Sequence, residues 1–246
     1  MASINPTQGP TYGGNSVVIT GTGFTNATAV KFGTKSATFT VNSATQITAT
    51  APAGTGSVGV TVITPGGATT PVPYFYISQP IKSALTETSG PLTGATTQIL
   101  GANLTTATSV TFGAVGSVTP TVVNDNTLNV TAPTAGAATT VPVTVTTAGG
   151  TTNGLSFQFV AAPTVGAINP PTGPEGGGTA VTIPGTGLAT VESVTFGAAE
   201  AAVSVISDTQ LIAYAPPGDG TVAVTVTTPG GSTASGTSFD YEPPPG

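Results

Sequence analysis

The chain has 246 residues, with three lysines, no arginine and nine acidic residues, so its formal net charge is −6 at pH 7. This balance excludes nucleic-acid binding, which needs clustered Lys and Arg side chains. The sequence contains no Cys and no His, which excludes disulfides, thiolate metal sites and thiol nucleophiles. No run approaches the roughly eighteen apolar residues of a membrane span, so we expect no membrane insertion.

Short strands separated by Gly and Pro turns are predicted from the N-terminus onward. In chain order they are AVKFG, TQITATAP, GSVGVTVITPGG and YFYI. In the third of these, Val58, Val60 and Val62 alternate with small or polar residues, which is typical of a half-buried strand. Pro-Gly-Gly then predicts a tight turn, because glycine supplies the positive φ angles that such turns require. No helical pattern is present, so the fold class is all-β.

Four landmarks recur three times in the same order along the chain. Gly-Pro stands at residues 9, 90 and 173, Phe-Gly at 32, 112 and 196, Ala-Pro at 51, 132 and 215, and Gly-Gly at 66, 149 and 230. A period of about 82 residues exceeds that of solenoid repeats and suits a small immunoglobulin-like β-sandwich. We predict three tandem domains: repeat one (1–79), repeat two (80–161) and repeat three (162–246).

Two short joints connect the predicted domains. They are Ser78-Gln79-Pro80 and Ala161-Ala162-Pro163. Proline restricts the residue before it to extended conformations, and short proline-containing connections act as stiff spacers. The expected architecture is therefore a semi-rigid rod of β-sandwiches.

The motifs INPTQGP, VVITGTGF, VKFG, TQITATAP and VTVITPGG together resemble the IPT/TIG family of immunoglobulin-like domains. Repeats one and three carry the pattern almost completely. Repeat two lacks the opening Asn-Pro, one of the paired glycines and the Gly-x-Gly, where Gly101-Ala102-Asn103 stands. The resemblance implies a domain found in extracellular receptors, bacterial surface proteins, polysaccharide-acting enzymes and certain transcription factors. There it serves as spacer, adhesive or dimerisation module and is seldom the catalyst.

No catalytic arrangement is recognisable, and we expect neither an enzyme nor a cofactor. Ser and Thr are abundant, but no histidine is present to activate one. A glycosidase needs a pair of carboxylates, whereas repeat one contains no acidic residue. Asp125 and Asp208 lie in NDNTL and SDTQL, where short polar side chains favour a turn; a calcium ligand is the alternative.

Two weaker features suggest contacts with partners. Repeat one carries Lys31 and Lys35, whereas repeat three carries seven acidic residues and no basic one. Charges of opposite sign at the two ends predict head-to-tail association into fibres, and random variation of a weakly charged surface is the alternative. The acidic residues proposed for these contacts are Glu175, Glu192 and Glu200.

Tyr12 is the second feature. It lies in the loop GPTYGG, and the corresponding loop of repeat three contains Glu175. An aromatic side chain at a loop tip is a candidate anchor for a glycan or protein ligand, although single exposed aromatic residues are also common.

The resulting hypothesis is a non-catalytic extracellular or particle-surface protein that acts as spacer, adhesin or fibre subunit. The alternatives are an array of carbohydrate-binding accessory modules and a surface component of a phage virion or injection machine. The first thirty residues show no basic region followed by an apolar run, so no signal peptide is visible. A mature or recloned form, or an export route that reads no N-terminal signal, would explain this.

Overall fold

The computed structural model describes residues 3–233 and 236–244, with only the backbone of Asn153. Every regular element in these residues is a β-strand, which confirms the all-β prediction. The described residues contain no helix long and apolar enough to cross a membrane. The chain divides into two compact units. The first comprises the residues up to 86 with 97–130 and 142–155, and the second comprises 87–96, 131–141 and the residues from 156 onward.

Repeat one lies wholly in the first unit and forms two sheets that share one strand. Its strands are β1 (Ser3–Asn5), β2 (Gln8–Pro10), β3 (Ser16–Thr20), β4 (Ala29–Phe32), β5 (Lys35–Ser43), β6 (Gln46–Thr50), β7 (Gly56–Thr64), β8 (Gly67–Ala68) and β9 (Val72–Ile77). The strand order is β1-β3-β6-β5-β4-β7-β9-β2, with β8 paired to β7. Strand β5 pairs with β4 through residues 35–37 and with β6 through residues 38–43, so it passes from one sheet to the other.

The core of repeat one is built by the alternation that the sequence predicts. Val60 and Val62 of β7 are buried, as are Val30 and Phe32 of β4. These side chains pack with the inward residues of the second sheet in one hydrophobic cluster. The other buried members are Ile4, Val17, Ile19, Phe24, Ile47, Ala49, Ala51, Tyr74 and Tyr76. Burial of this apolar surface stabilises the sandwich by roughly 25 cal/mol per Å².

Repeat two contributes strands to both units. They are β10 (Ile81–Leu85), β11 (Ser89–Pro91), β12 (Thr96–Ala102), β13 (Ala107–Phe112), β14 (Gly116–Val118), β15 (Thr121–Asn124), β16 (Thr127–Thr131), β17 (Thr139–Thr147) and β18 (Gly150–Val160). In the first unit β10, β12, β16 and β15 form one sheet, and β13 pairs with β14 and with residues 143–147 of β17. In the second unit β11 pairs in parallel with β18.

Repeat three lies in the second unit and has the organisation of repeat one. Its strands are β19 (Thr164–Val165), β20 (Thr172–Pro174), β21 (Ala180–Thr186), β22 (Ser193–Phe196), β23 (Ala199–Glu200), β24 (Ala202–Ser207), β25 (Gln210–Tyr214), β26 (Gly220–Thr228), β27 (Gly231–Ser232) and β28 (Ser238–Glu242). One sheet has the order β19-β21-β25-β24 and the other β20-β28-β26-β22-β23, with β27 on β26. The strand that is continuous as β5 in repeat one is interrupted at Ala201, between β23 and β24.

The Gly-Pro landmark has a packing cause in all three repeats. Each pair lies in a short strand that runs parallel to the last strand of its repeat: β2 with β9, β11 with β18 and β20 with β28. A Cβ on Gly9 would overlap the Tyr74 hydroxyl, and one on Gly173 would overlap the Thr179 hydroxyl. In repeat two, a Cβ on Gly90 would lie 2.6 Å from the Cβ of Ala95. Only glycine leaves room for the parallel strand to lie this close to the core.

The Gly-x-Gly motif is required by the backbone conformation of its last residue. Gly23 and Gly187 have φ angles of 75° and 70°. Repeat two has Asn103 at this position, with a φ of 59°, and it is the one described non-glycine residue with positive φ. Asparagine tolerates this conformation better than most residues. Repeat two therefore keeps the turn without the glycine.

Candidate functional site

A cleft in repeat one is the candidate site. Its volume is about 410 Å³. The β4–β5 hairpin supplies Phe32, Thr34 and Lys35, and the other lining residues are Thr11, Ala53, Gly54, Thr55, Val58 and Tyr76. The cleft therefore combines one ammonium group and three threonine hydroxyls with an apolar floor.

Lys35 is the charged group of this cleft. It is exposed at the start of β5, and its Nζ donates a hydrogen bond to the carbonyl oxygen of Ala53 at 2.7 Å. This bond holds the ammonium group across the cleft. Lys31 is half-buried within β4 and does not line the cleft. Of the two lysines predicted to make head-to-tail charge contacts, only Lys35 lines the cleft, and their role in such contacts stays a prediction.

Tyr76 lines the cleft, and its hydroxyl already makes a hydrogen bond within repeat one. The hydroxyl donates to the carbonyl oxygen of Pro52 at 2.7 Å, and the ring lies so close to Gly54 that a Cβ there would overlap it. Burial, and secondarily the nearby Tyr74, raise the pKa of Tyr76. The phenol is therefore neutral at physiological pH and offers no base for chemistry.

Tyr12 lies beside the cleft, next to Thr11. Its side chain is 57% exposed, but its hydroxyl reaches the backbone of repeat two within the first unit. A Cβ built on Gly150 would lie 2.9 Å from the Tyr12 Oη. The residue predicted as a ligand anchor is thus more than half exposed and lies against Gly150 at its tip. Its role in binding stays a prediction.

The three glutamates proposed for charge contacts lie on different elements of repeat three, and their role in such contacts stays a prediction. Glu175 follows β20, and its amide donates to the Glu242 carbonyl oxygen at 3.1 Å. Glu192 is exposed immediately before β22, and Glu200 is exposed on β23. In repeat one the matching amide bond, also 3.1 Å, is donated by Thr11 to Ile77. Glu175 therefore corresponds to Thr11, and Gly176 is the counterpart of Tyr12.

Asp125 and Asp208 occupy turns, as predicted, and bind backbone amides. Asp125 accepts hydrogen bonds from the Asn103 amide at 3.1 Å, the Thr105 amide at 3.3 Å and the Thr105 hydroxyl at 2.6 Å. These bonds, the hydroxyl first and the Asn103 amide next, lower the pKa of Asp125. Asp208 accepts from the amides of Gly187 and Ala189 at 3.4 and 3.2 Å. Both carboxylates therefore cap a loop.

Among residues 3–233 and 236–244, no group of three acidic side chains is placed to hold a metal ion. The carboxylate oxygens of Asp125 and Asp208, for which calcium binding was the alternative prediction, accept hydrogen bonds from backbone amides of the loop that precedes β13 or β22.

Lys82 is a residue that the sequence reasoning missed. It lies on β10 and is half-buried, and its Nζ donates to the carbonyl oxygen of Val143 at 2.5 Å. Burial lowers the pKa of its ammonium group. No sequence signal distinguishes it, since its burial depends on the packing of β10 against a strand sixty residues away.

The fold defines the class of protein: an array of tandem immunoglobulin-like β-sandwiches. The IPT/TIG domain model matches it at residues 1–76, 80–159 and 163–241. The chain therefore belongs to the IPT/TIG domain family, which confirms the resemblance seen in its motifs. None of the curated proteins compared with the chain matches it.

Solved structures with similar arrays include extracellular and surface proteins. The extracellular region of plexin A4 matches with 21% identity and a TM-score of 0.46, over 99% of this chain and 24% of that one. A Bacteroides ovatus SGBP-B, solved in complex with a mixed-linkage heptasaccharide, matches with 19% identity and a TM-score of 0.33, over 98% and 70%. The Escherichia coli adhesin FdeC matches with 15% identity and a TM-score of 0.36, over 98% and 96%. The chain thus spans about a quarter of the plexin region.

Proposed function

We propose that the chain is a non-catalytic spacer and adhesion segment of a surface-exposed, extracellular protein. Two features support this function. The three IPT/TIG domains fill nearly the whole chain, and only 5% of the residues are charged. Spacers of this kind need stable domains and stiff connections rather than a reactive site.

The packing of the joints is the observation that carries the proposal. In the first unit Ser78 lies against Gly149, and in the second unit Ala161 lies against Gly230. Each glycine is buried and lies in the turn of the repeat that follows the joint. A side chain at either glycine would overlap the joint's carbonyl oxygen. A joint held this closely restricts the motion of the domain before it.

Nuclear spin relaxation of backbone amides tests the spacer role. If the joints are stiff, the three repeats share a single rotational correlation time. Gly149→Val should then shorten the correlation time of repeat one. Gly136→Val is the matched control, because a Cβ on Gly136 would meet nothing within 4 Å. Independent tumbling of the repeats in the unmodified protein would contradict the proposal.

The cleft of repeat one supports a second candidate function, the binding of a surface glycan. Threonine hydroxyls and one ammonium group suit a hydroxyl-rich or acidic sugar, which carries acceptors for both. Repeat three has Ala199 where repeat one has Lys35, so repeat three lacks the charged group of the cleft.

Titration with acidic and neutral oligosaccharides, followed by amide chemical shifts, tests this second function. We expect shifts at Thr11 and Thr34 that Lys35→Ala abolishes and Lys31→Ala leaves intact. Equal loss in both variants, or no shift with any sugar, would contradict glycan binding at this cleft. Neither outcome would contradict the spacer role.

A further inference from the structure

Three Asn-x-Thr tripeptides, the acceptor motif for N-linked glycans, occur in the sequence. They are Asn26-Ala27-Thr28 in repeat one, and Asn103-Leu104-Thr105 and Asn129-Val130-Thr131 in repeat two. In a chain so rich in threonine such matches arise by chance, so the motif alone decides nothing. An enzyme that glycosylates a folded protein must reach both the Asn amide and the Thr hydroxyl two residues later. The fold makes these two groups accessible to very different degrees at the three places.

The Asn103 motif is held by hydrogen bonds at both ends. The Asn103 side-chain amide donates to the carbonyl oxygen of Gln79 at 2.9 Å, and the Thr105 hydroxyl donates to Asp125 at 2.6 Å. Leu104, between them, is fully buried in the core. Binding of this motif by an enzyme would break both bonds and pull a core side chain to the surface, so the folded chain does not offer this acceptor.

The Asn129 motif lies within a strand. Strand β16 is hydrogen-bonded to β12 on one side and to β15 on the other. Asn129 is half-buried, and its Oδ1 accepts a hydrogen bond from Gln98 Nε2 at 2.9 Å. To enter the groove of an enzyme, this segment would have to leave both neighbouring strands and expose the buried Val130. The second motif of repeat two is therefore closed as well.

The Asn26 motif lies at an exposed turn before β4. The Ala27 amide donates to the Phe24 carbonyl oxygen at 3.0 Å, which places Asn26 at the tip of the turn. Asn26 and Thr28 are both exposed, and no hydrogen bond ties the Asn26 side chain to another described residue. The Thr28 hydroxyl donates to the Ile63 carbonyl oxygen at 3.2 Å, but this oxygen also accepts the Thr28 amide at 2.8 Å. The hydroxyl can therefore turn toward an enzyme without leaving the carbonyl unpaired.

The accessibility of Asn26 has its cause within repeat one. The corresponding residues of the other repeats are Thr106 and Thr190, and Thr190 is exposed although a joint leads into its repeat. Thr106 is half-buried, and its hydroxyl accepts the Ala148 amide at 3.2 Å. Repeat one has Pro65 in place of Ala148, and proline has no amide hydrogen to donate. The bond that ties down Thr106 therefore has no equivalent at Asn26.

We propose that Asn26 is the N-glycosylation site of the folded protein, with a lipid diphosphate-linked oligosaccharide as the donor. In the transfer, a bond forms between Nδ2 of Asn26 and the anomeric carbon of the sugar, and the bond from that carbon to the diphosphate oxygen breaks. The lipid diphosphate leaves, and Nδ2 loses one proton. A bulky, hydrophilic glycan belongs on the surface, which the exposed turn provides. In the cell the modification rests on the proposed extracellular location, because such donors act on exported chains.

Glycosylation of the folded full chain in vitro tests the proposal. The enzyme is an oligosaccharyltransferase selected because, with a lipid-linked oligosaccharide, it modifies short synthetic peptides of all three motifs. Any selectivity in the folded chain then comes from the fold. The intact mass should increase by one glycan, and peptide mapping should locate that glycan on Asn26. Asn26→Gln and Thr28→Ala should each abolish the gain in mass, whereas Thr28→Ser, which keeps the hydroxyl, should retain it.

Three outcomes would overturn the proposal. One is an unmodified sequence that gains no glycan under conditions in which the peptides are modified. Another is occupancy of Asn103 or Asn129 equal to that of Asn26. The third is a gain in mass by Asn26→Gln as large as that of the unmodified sequence. None of these outcomes bears on the spacer role, because the relaxation experiment uses the protein without a glycan.

Discussion

Repeats one and three share a core and differ in the polar groups placed around it. Phe32, Tyr74 and Tyr76 form an edge-to-face series with centroids 5.1 Å apart. In repeat three Phe196, Phe239 and Tyr241 form the same series, at 5.3 and 5.0 Å. Tyr241 also donates to the Pro216 carbonyl oxygen at 2.6 Å, as Tyr76 does to Pro52. The shared contacts are those that determine the fold.

The differences are local exchanges of polar groups. Repeat one pairs the Tyr74 hydroxyl with Asn15 Oδ1 at 2.9 Å, where repeat three has Phe239 and Thr179. Repeat three caps a loop with Asp208, where repeat one has Ala44. This fold therefore accommodates different polar side chains around its core as long as its apolar contacts and glycines are kept.

The largest effect is expected from the shared aromatic core. Phe32→Ala and Phe196→Ala should each lower the free energy of unfolding of their own repeat by about 3–5 kcal/mol, because a large buried side chain leaves a cavity. Hydrogen exchange with mass spectrometry resolves the repeats and measures this directly. Phe75→Ala is the control, since that ring is 46% exposed. Similar losses from Phe75→Ala and Phe32→Ala would contradict the shared-core account.

The buried polar pair of repeat one should behave as a unit. Tyr74→Phe alone should lower the free energy of unfolding of repeat one by about 1–2 kcal/mol, since it removes the partner of the Asn15 side chain. The Nδ2 of Asn15 is already buried without a hydrogen bond. Adding Asn15→Thr reproduces the arrangement of repeat three and should restore most of the loss. Equilibrium denaturation of the two single variants and the double variant checks this. Additive losses would show that the pair is not coupled.

The cap at Asp125 predicts a dependence of stability on pH. Its folded pKa lies below the ordinary value, so its stabilisation is present above the unfolded pKa of about 3.9 and is lost as pH falls through the folded pKa. Asp125→Asn should therefore destabilise repeat two at pH 7 and become indistinguishable from the unmodified protein at the lowest pH. Thermal unfolding over this pH range measures the difference. A pH-independent difference would contradict the capping role of the charge.

The smallest expected effect is a gain in the thermal stability of repeat one. Ala44 is exposed at the turn position of Asp125 and Asp208, and its carbonyl oxygen accepts the Phe24 amide just as theirs accept Leu104 and Leu188. Ala44→Asp should raise the melting temperature of repeat one slightly at pH 7 and leave it unchanged at low pH. Ala44→Asn, which has no charge, is the control. An equal gain from both variants would assign the effect to the turn rather than to the carboxylate.

Much of the fold could be predicted from the sequence, because local rules decide it. The alternation of Val58, Val60 and Val62 and the repeated Gly-Pro and Gly-Gly pairs depend on burial and backbone conformation, which a single sequence shows. The burial of Lys82 and the contact of Tyr12 with Gly150 could not be predicted, because they join residues more than sixty positions apart.

The cleft was not predicted from the sequence. Lys35, which lines it, was predicted for charge contacts with another copy, together with Lys31, Glu175, Glu192 and Glu200, and those contacts stay predictions. Charge counts by repeat cannot predict such a cleft, because they ignore where each side chain lies on its strand.

The central claim is that a turn glycine holds the joint that precedes its repeat. A comparison of the thermal unfolding of Gly149→Val with that of Gly66→Val tests this claim most directly. The account predicts that Gly149→Val lowers the melting temperature of the first unit, at a cost of about 1–3 kcal/mol for forcing a side chain into a closed contact. Gly66→Val, at the equivalent turn of repeat one, should leave the melting temperature unchanged, because among the described residues a Cβ there would meet only the Thr64 hydroxyl oxygen, at 3.6 Å. Equal effects of the two substitutions would contradict the account.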